Sequence, residues 1–140
     1  MKRVHWFLLA VGLALTGCGG GGVGLPPDTT PPVIQSLQVL PDGLIVSGAE
    51  ILVRVTATDD RAVQTAEVVA TYPDGTEGRY AMQADDSGSG YRVGFIAQWD
   101  MSRATGTALR IQVVVADASG NQATAEKSLS TPLPPPGSPF

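Results

Sequence analysis

Between residues 31 and 131 apolar and polar side chains alternate with a period of two, and Gly, Pro and Asp break the alternation. Strands buried on one face and joined by tight turns produce this pattern, so the segment predicts an all-β sandwich. Ile51, Val53, Val55 and Ala57 fall on one side of a strand, with Leu52, Arg54, Thr56 and Thr58 on the other. Leu109, Ile111, Val113 and Val115 repeat the arrangement opposite Arg110, Gln112 and Val114, and these two strands should occupy the centre of the core. Val33 to Leu40 supplies the first strand and Ala66, Val68, Ala70 and Tyr72 another. Residues 79–83 give a short strand, Tyr91, Val93 and Phe95 the next, and Ala123, Ala125 and Leu129 the last, about seven antiparallel strands in all. No useful helical period appears after the first 17 residues, and 100–106 is short enough to be only a turn.

The turns carry suitable chemistry. In Tyr72-Pro73-Asp74-Gly75 the proline presets φ and the glycine accepts the positive φ that follows. Pro41-Asp42-Gly43 is a similar corner, residues 85–90 form a longer polar loop, and Asp117-Ala118-Ser119-Gly120-Asn121 links the last two strands.

Ahead of this region the pattern is different. Met1-Lys2-Arg3 is a short basic start, and residues 6–15 are an apolar run long enough for a secretory signal and too short to span a bilayer. Leu15-Thr16-Gly17-Cys18 follows. This resembles the signal of a bacterial lipoprotein, in which a Leu, a small residue and a Gly or Ala precede a cysteine that receives a diacylglyceryl thioether. The resemblance implies that residues 1–17 are removed and that Cys18 carries the lipid, including palmitate-type acyl chains. The domain would then be anchored in the cell membrane or outer membrane and face the periplasm or the exterior. The plainer alternative is an ordinary signal peptide with a chance cysteine, which would leave an unpaired thiol exposed in an oxidising compartment. Gly19 stands where an Asp would hold a lipoprotein of enteric-type bacteria at the inner membrane, which points outward.

Loss of the leader changes the charge. The chain has 9 basic and 13 acidic residues; Lys2 and Arg3 leave with the leader, so 7 face 13 and the net charge moves from −4 to −6. That balance excludes nucleic acid and electrostatic adhesion to anionic lipid, so attachment to the membrane must come from the acyl chains. The leader also contains His5, the only histidine, and Cys18 is the only cysteine. Ser-His-Asp and Cys-His catalysis and His- or Cys-ligated zinc lose their groups, and no phosphate-binding glycine loop is present. The adjacent pairs Asp59/Asp60 and Asp85/Asp86 are the remaining acid-base candidates, and in Gly- and Ser-containing turns such pairs are ordinarily solvated. The chain is therefore expected not to be an enzyme.

Composition divides the protein into a leader (1–17), a lipidated cysteine with a Gly/Pro tether (18–30), the sandwich (31–131) and a proline-rich tail (132–140) that is disordered or polyproline II. A flexible tether of this length reaches on the order of 20 Å, which keeps the domain close to the bilayer.

Asp28-Thr29-Thr30-Pro31-Pro32-Val33-Ile34, Val55-Thr56-Ala57-Thr58-Asp59-Asp60, and Val113-Val114-Val115-Ala116-Asp117-Ala118-Ser119-Gly120-Asn121 carry a second resemblance. They are similar to the first strand, second strand and last hairpin of bacterial Ig-like domains of the fibronectin-III-like or cadherin-like kind. The resemblance implies an Ig-like Greek-key sandwich, used in exported proteins as spacer, adhesin or accessory module. The paired cysteines of antibody-type domains are absent, so packing alone must hold the sheets together. Trp99 does not fall where an antibody-type core tryptophan would; it either caps the core or stands exposed.

In a seven-strand order of that type, the start of the chain and the loops after the second strand, before the fifth and between the last two return to one end. That would gather Asp28, Asp59, Asp60, Asp85, Asp86, Asp117 and Asn121, hard oxygen ligands of the kind calcium needs. Cadherin-like modules bind calcium at such ends. The alternative is local: each Asp accepts hydrogen bonds from backbone N–H groups of its own turn. The full cadherin ligand motifs and a bidentate glutamate are missing. The expectation is thus a membrane-tethered, non-catalytic, monomeric Ig-like module that binds a protein or glycan through loops or a free sheet edge. A structural spacer or envelope-assembly component, calcium-stabilised or not, is the alternative.

Overall fold

The computed structural model describes residues 26–133 and 136. The leader, Cys18, most of the tether and most of the tail lie outside the described residues.

The described residues form eight strands in two antiparallel sheets. One sheet has the order β1-β2-β6-β5, built from Val33–Leu40, Ala49–Thr58, Gly90–Ala97 and Gln83–Ala84. The other has the order β4-β3-β7-β8, built from Glu77–Ala81, Val63–Thr71, Ala108–Asp117 and Gln122–Ser130. Consecutive strands leave one sheet for the other and return, which is the Greek-key sandwich of Ig-like domains. β2 and β7 are interior strands, and Ile51, Val53, Val55 and Ala57 of one face Leu109, Ile111, Val113 and Val115 of the other in the buried core. Burying both strands on their inward faces accounts for their strict alternation of side chains.

Eight strands appear where about seven are expected, because the short segment 79–83 splits. Tyr80 pairs with Val68 in one sheet, Gln83 pairs with Arg92 in the other, and between them Met82 turns inward and is buried. The Met82 N–H still bonds to the Ala66 carbonyl at 2.8 Å, so the chain changes sheet without losing that pairing.

Residues 41–48 join β1 to β2 of the same sheet by crossing to the edge of the other sheet and back, beginning at a cis Leu40–Pro41 bond. Ile45 is 1 % exposed there, while its neighbours Leu44 and Val46 are 65 % and 53 % exposed. The Ile45 N–H donates to the Ser130 carbonyl at 2.8 Å, and Lys127 on β8 pairs with Asp42 at 2.9 Å. This segment therefore lies along the β8 edge and covers part of it. Trp99 is buried, its ring 6.2 Å from Tyr72, and its indole N–H donates to the Met101 sulfur, so it closes the core at this end. Residues 101–103 form one 3-10 turn, capped by Asp100 accepting from the Ser102 N–H at 2.9 Å, in keeping with the turn expected there.

β1 starts beside the end of β2, Val33 opposite Thr58, whereas β8 finishes at the other end, Ser130 opposite Ala108. The chain thus enters the sandwich at one pole and leaves it at the opposite one.

Candidate functional site

The pole at which the chain enters is acidic. β2 ends at Thr58, β3 begins at Val63 opposite Asp117, and β7 ends at Asp117, so the β2–β3 turn, the β7–β8 turn and the segment before β1 meet there. Among the described residues, the carboxylates of Asp28, Asp59 and Asp60 bring one oxygen each within 4.8 Å of one another.

Asp117 and Asn121 adjoin them. Asp117 Oδ1 accepts from the Ser119 N–H at 2.8 Å and the Asn121 N–H at 2.9 Å, and its Oδ2 accepts from Asn121 Nδ2 at 2.8 Å. Asn121 Nδ2 also donates to the Asp28 backbone carbonyl at 3.0 Å, which ties the segment before β1 to the last hairpin. Gly120, at φ +89°, supplies the left-handed step that brings Asn121 round to do so.

Asp28 and Asp117 are 9 % and 4 % exposed, and their carboxyls lie close enough to act on each other's ionisation. The bond from the Thr30 N–H would lower the Asp28 pKa, but burial, the Asp117 hydrogen bond and the charges of Asp60 and Asp117 outweigh it and raise the pKa above the ordinary value. For Asp117, burial acts upward and is outweighed by the bonds from the Asn121 side chain and N–H, from Asp28 and from the Ser119 N–H, which leave its pKa lowered.

Asp59 divides its two oxygens. Oδ2 accepts from the Arg61 and Ala62 N–H groups, both at 3.1 Å, and so shapes the β2–β3 turn. Oδ1 is buried and has no hydrogen-bond partner. A buried carboxylate oxygen left unpaired is costly, and it belongs to the residue that completes the three-carboxylate group. A hard divalent cation would satisfy it, and aspartate carboxylates with a nearby amide and water are the donor set that calcium takes. The residues present fit such an ion.

Asp85 and Asp86 do not join this group. Asp85 Oδ1 accepts from the Ser87 N–H at 2.8 Å and from the Ser87 hydroxyl at 2.5 Å. Those bonds, with smaller help from Arg92 and Arg54, lower its pKa despite some desolvation. Its carboxylate packs directly over Gly90, where any Cβ would collide with it. The β5–β6 loop does reach this pole, since the Ser89 carbonyl accepts from the Ala57 N–H, but its acids are directed into their own turn. Asp86 is exposed.

Beside Asp59 an open cavity of about 320 Å³ is lined by Thr58, Asp59, Arg61, Ser89 and Tyr91. Arg61 is a member of this pole that sequence pattern did not single out. Its guanidinium donates to the Pro26 carbonyl at 2.5 Å, and its place two residues after Asp59 in the turn was the available signal.

No protein-family model matches the chain, and a search of curated proteins finds no match. Solved structures do resemble it. The N-terminal Ig1-2 module of the Drosophila receptor protein tyrosine phosphatase DLAR aligns at 17 % identity and TM-score 0.45, over 79 % of this chain and 53 % of that one. The chitinase ChiW from Paenibacillus sp. str. FPU-7, described as a cell-surface-expressed multi-modular enzyme machinery, aligns at 14 % identity and TM-score 0.43 over 77 % of this chain. The chain spans about half the length of the first and 9 % of the second. Such distant likeness says nothing about function, and the Ig-like assignment stands on the strand order itself.

Proposed function

We propose that this protein is a membrane-anchored lipoprotein that displays a non-catalytic Ig-like binding module in the cell envelope, held by acyl chains on Cys18. Support for the anchor is the run Leu15-Thr16-Gly17-Cys18 behind a basic start and an apolar stretch. The binding reading is carried by how the polar residues at the loop ends are used. Asp59, Asp85 and Asp117 each hold the backbone of their own turn, which gives fixed loops for presenting a surface to a protein or glycan. The anchor is tested by fractionation. Cys18→Ala should release the protein into the soluble fraction or leave the leader uncut. A Cys18→Ala protein that stays membrane-bound and is processed at the normal position refutes it.

A second reading, a calcium-stabilised spacer, is favoured by the unpartnered Asp59 Oδ1 within the Asp28, Asp59 and Asp60 group. Calcium at 100 times its dissociation constant would add about 2.7 kcal/mol to stability. A melt of the chain with and without millimolar calcium, in which no shift appears, would dismiss it.

A further inference from the structure

Each sheet ends in two strands that have a neighbour on one side only, β1 and β5 in one sheet and β4 and β8 in the other. Such edges invite pairing with another chain, and folded proteins blunt them. Three are blunted here. β1 is broken by an irregularity between Ile34 and Ser36, and β5 is two residues long. β8 is overlaid by residues 41–48 and carries Lys127 at an inward position, opposite the buried Ile111.

β4 has neither bulge nor proline in its five residues, and its pairing with β3 shows which backbone groups it leaves open. The Thr76 carbonyl accepts from the Tyr72 N–H at 2.9 Å, and the Met82 N–H donates to the Ala66 carbonyl at 2.8 Å. Gly78 and Tyr80, in step with these, face β3 opposite Ala70 and Val68. The N–H and C=O groups of Glu77, Arg79 and Ala81 therefore point away from the sheet, and among the described residues they have no hydrogen-bond partner.

Like charges on an edge repel a second copy, but Glu77 and Arg79 are opposite in sign and two residues apart. When two β4 strands run antiparallel about a two-fold axis at Gly78, Glu77 of each stands opposite Arg79 of the other. These are the residues whose backbone groups are open, so each Glu–Arg pair exchanges both of its main-chain hydrogen bonds and an ion pair as well. Both side chains have capacity left for this. Arg79 donates to Glu67 at 3.0 Å and to Glu77 at 3.2 Å, which leaves further guanidinium donors, and Glu77 Oε2 has no partner among the described residues. Gly78 places no side chain on the axis, where the two backbones of a non-hydrogen-bonded pair approach to about 4.5 Å. Its inward side is filled by Tyr80, whose hydroxyl lies 2.6 Å from where a Cβ would stand.

An unrelated extended peptide would use the same backbone groups. The sequence Glu-Gly-Arg, however, is its own electrostatic complement when reversed, which singles out a second copy. We infer that this chain, expected from its sequence to be monomeric, pairs with a second copy of itself through antiparallel β4 edges, Glu77 of each copy on Arg79 of the other. Two sheets would then join into one across the two-fold axis. The inference is independent of the anchor and of calcium.

The test is sedimentation velocity of the full chain at fixed detergent. A contact this small is weak, so protein concentration should run up to about 1 mM. The parent should pass from monomer to dimer as concentration rises, and less readily as salt rises. Glu77→Arg and Arg79→Glu each set like charges opposite each other twice, by symmetry, and should each weaken self-association about tenfold or more. An equal mixture of the two single variants should associate again, because an edge with two basic residues meets an edge with two acidic ones. The double variant Glu77→Arg/Arg79→Glu should dimerise like the parent, and Arg54→Gln on the other sheet should change nothing. Both substituted side chains are exposed, so melts of dilute samples should find the single variants folded. A parent that stays monomeric throughout, dimers that survive both single substitutions, or a mixture that fails to associate overturns the inference. None of these failures bears on the lipoprotein anchor, which the Cys18→Ala fractionation decides separately.

Discussion

Replacing Ile45 by Ala tests whether the crossing segment 41–48 belongs to the core. The side chain is 1 % exposed in a stretch whose neighbours on both sides are exposed, so one residue carries the apolar attachment of the whole crossing. Truncation removes three carbons, and at about 0.8 kcal/mol for each the transfer loss is about 2.4 kcal/mol. Whatever cavity remains adds about 24 cal/mol per Å³, which places the total within the range of about 2–5 kcal/mol seen for buried isoleucine truncations. The Ile45 N–H survives the change, so its bond to Ser130 is not part of the loss. For a domain of this size each kcal/mol moves Tm by about 4–8 °C, and a fall of at least about 8 °C is expected. Urea unfolding of the full chain should show the same loss as a lower midpoint at an unchanged slope. Leu44→Ala and Val46→Ala, both at exposed positions, should stay within about 0.5 kcal/mol of the parent. If Ile45→Ala costs no more than Val46→Ala, the crossing is not packed on the core and the argument fails.

Asp28→Asn keeps an oxygen for the Thr30 N–H and offers an amide to Asp117. Because the folded-state pKa of Asp28 is raised, its contribution is fully present below the ordinary carboxylate value and is lost as pH rises through the folded value. Without calcium the variant should therefore melt higher than the parent at neutral pH, and the gap should close toward about pH 3; a gap independent of pH contradicts the raised Asp28 pKa. Tyr72 and Tyr80 share a hydrogen bond of 2.7 Å, and burial first, then that bond, raise the Tyr72 pKa. Stability tied to that hydroxyl should be complete below its ordinary value of 10.0 and decline as pH rises further, and an alkaline absorbance titration that compares the chain with Tyr72→Phe should find the lost tyrosine ionising above that ordinary value. Gly120→Ala should cost about 1–2 kcal/mol in a urea melt because φ is +89°, while Gly106→Ala, at ordinary φ with open space around its Cβ position, should be close to neutral.

The strands that bury one face along their whole length were legible because alternation records burial directly; β2 and β7 are the clearest cases. Ile45 and Met82 were not legible, since each is a lone buried residue in a connecting segment that has no period, Ile45 between two strands of one sheet and Met82 where the chain changes sheet. At the acidic pole, turn order brings Asp28, Asp59, Asp60, Asp117 and Asn121 to one place, and that much follows from strand count. What strand count cannot reveal is how each carboxylate is spent. Asp85 is captured by Ser87 two residues away and folded onto Gly90, while Asp59 keeps one oxygen free. The open edge of β4 was hidden for a related reason, because alternation shows which face a side chain takes and only strand order shows which side of a strand is left without a neighbour.

The opposite placement of Val33 and Ser130 has a mechanical consequence. A pull applied to the two ends of the sandwich runs along the strands, at right angles to the hydrogen bonds that join β1 to β2 and the crossing to β8. Those bonds would be loaded in shear and together, not peeled apart singly. Tension applied through the two ends of the chain would meet the stiff axis of the fold.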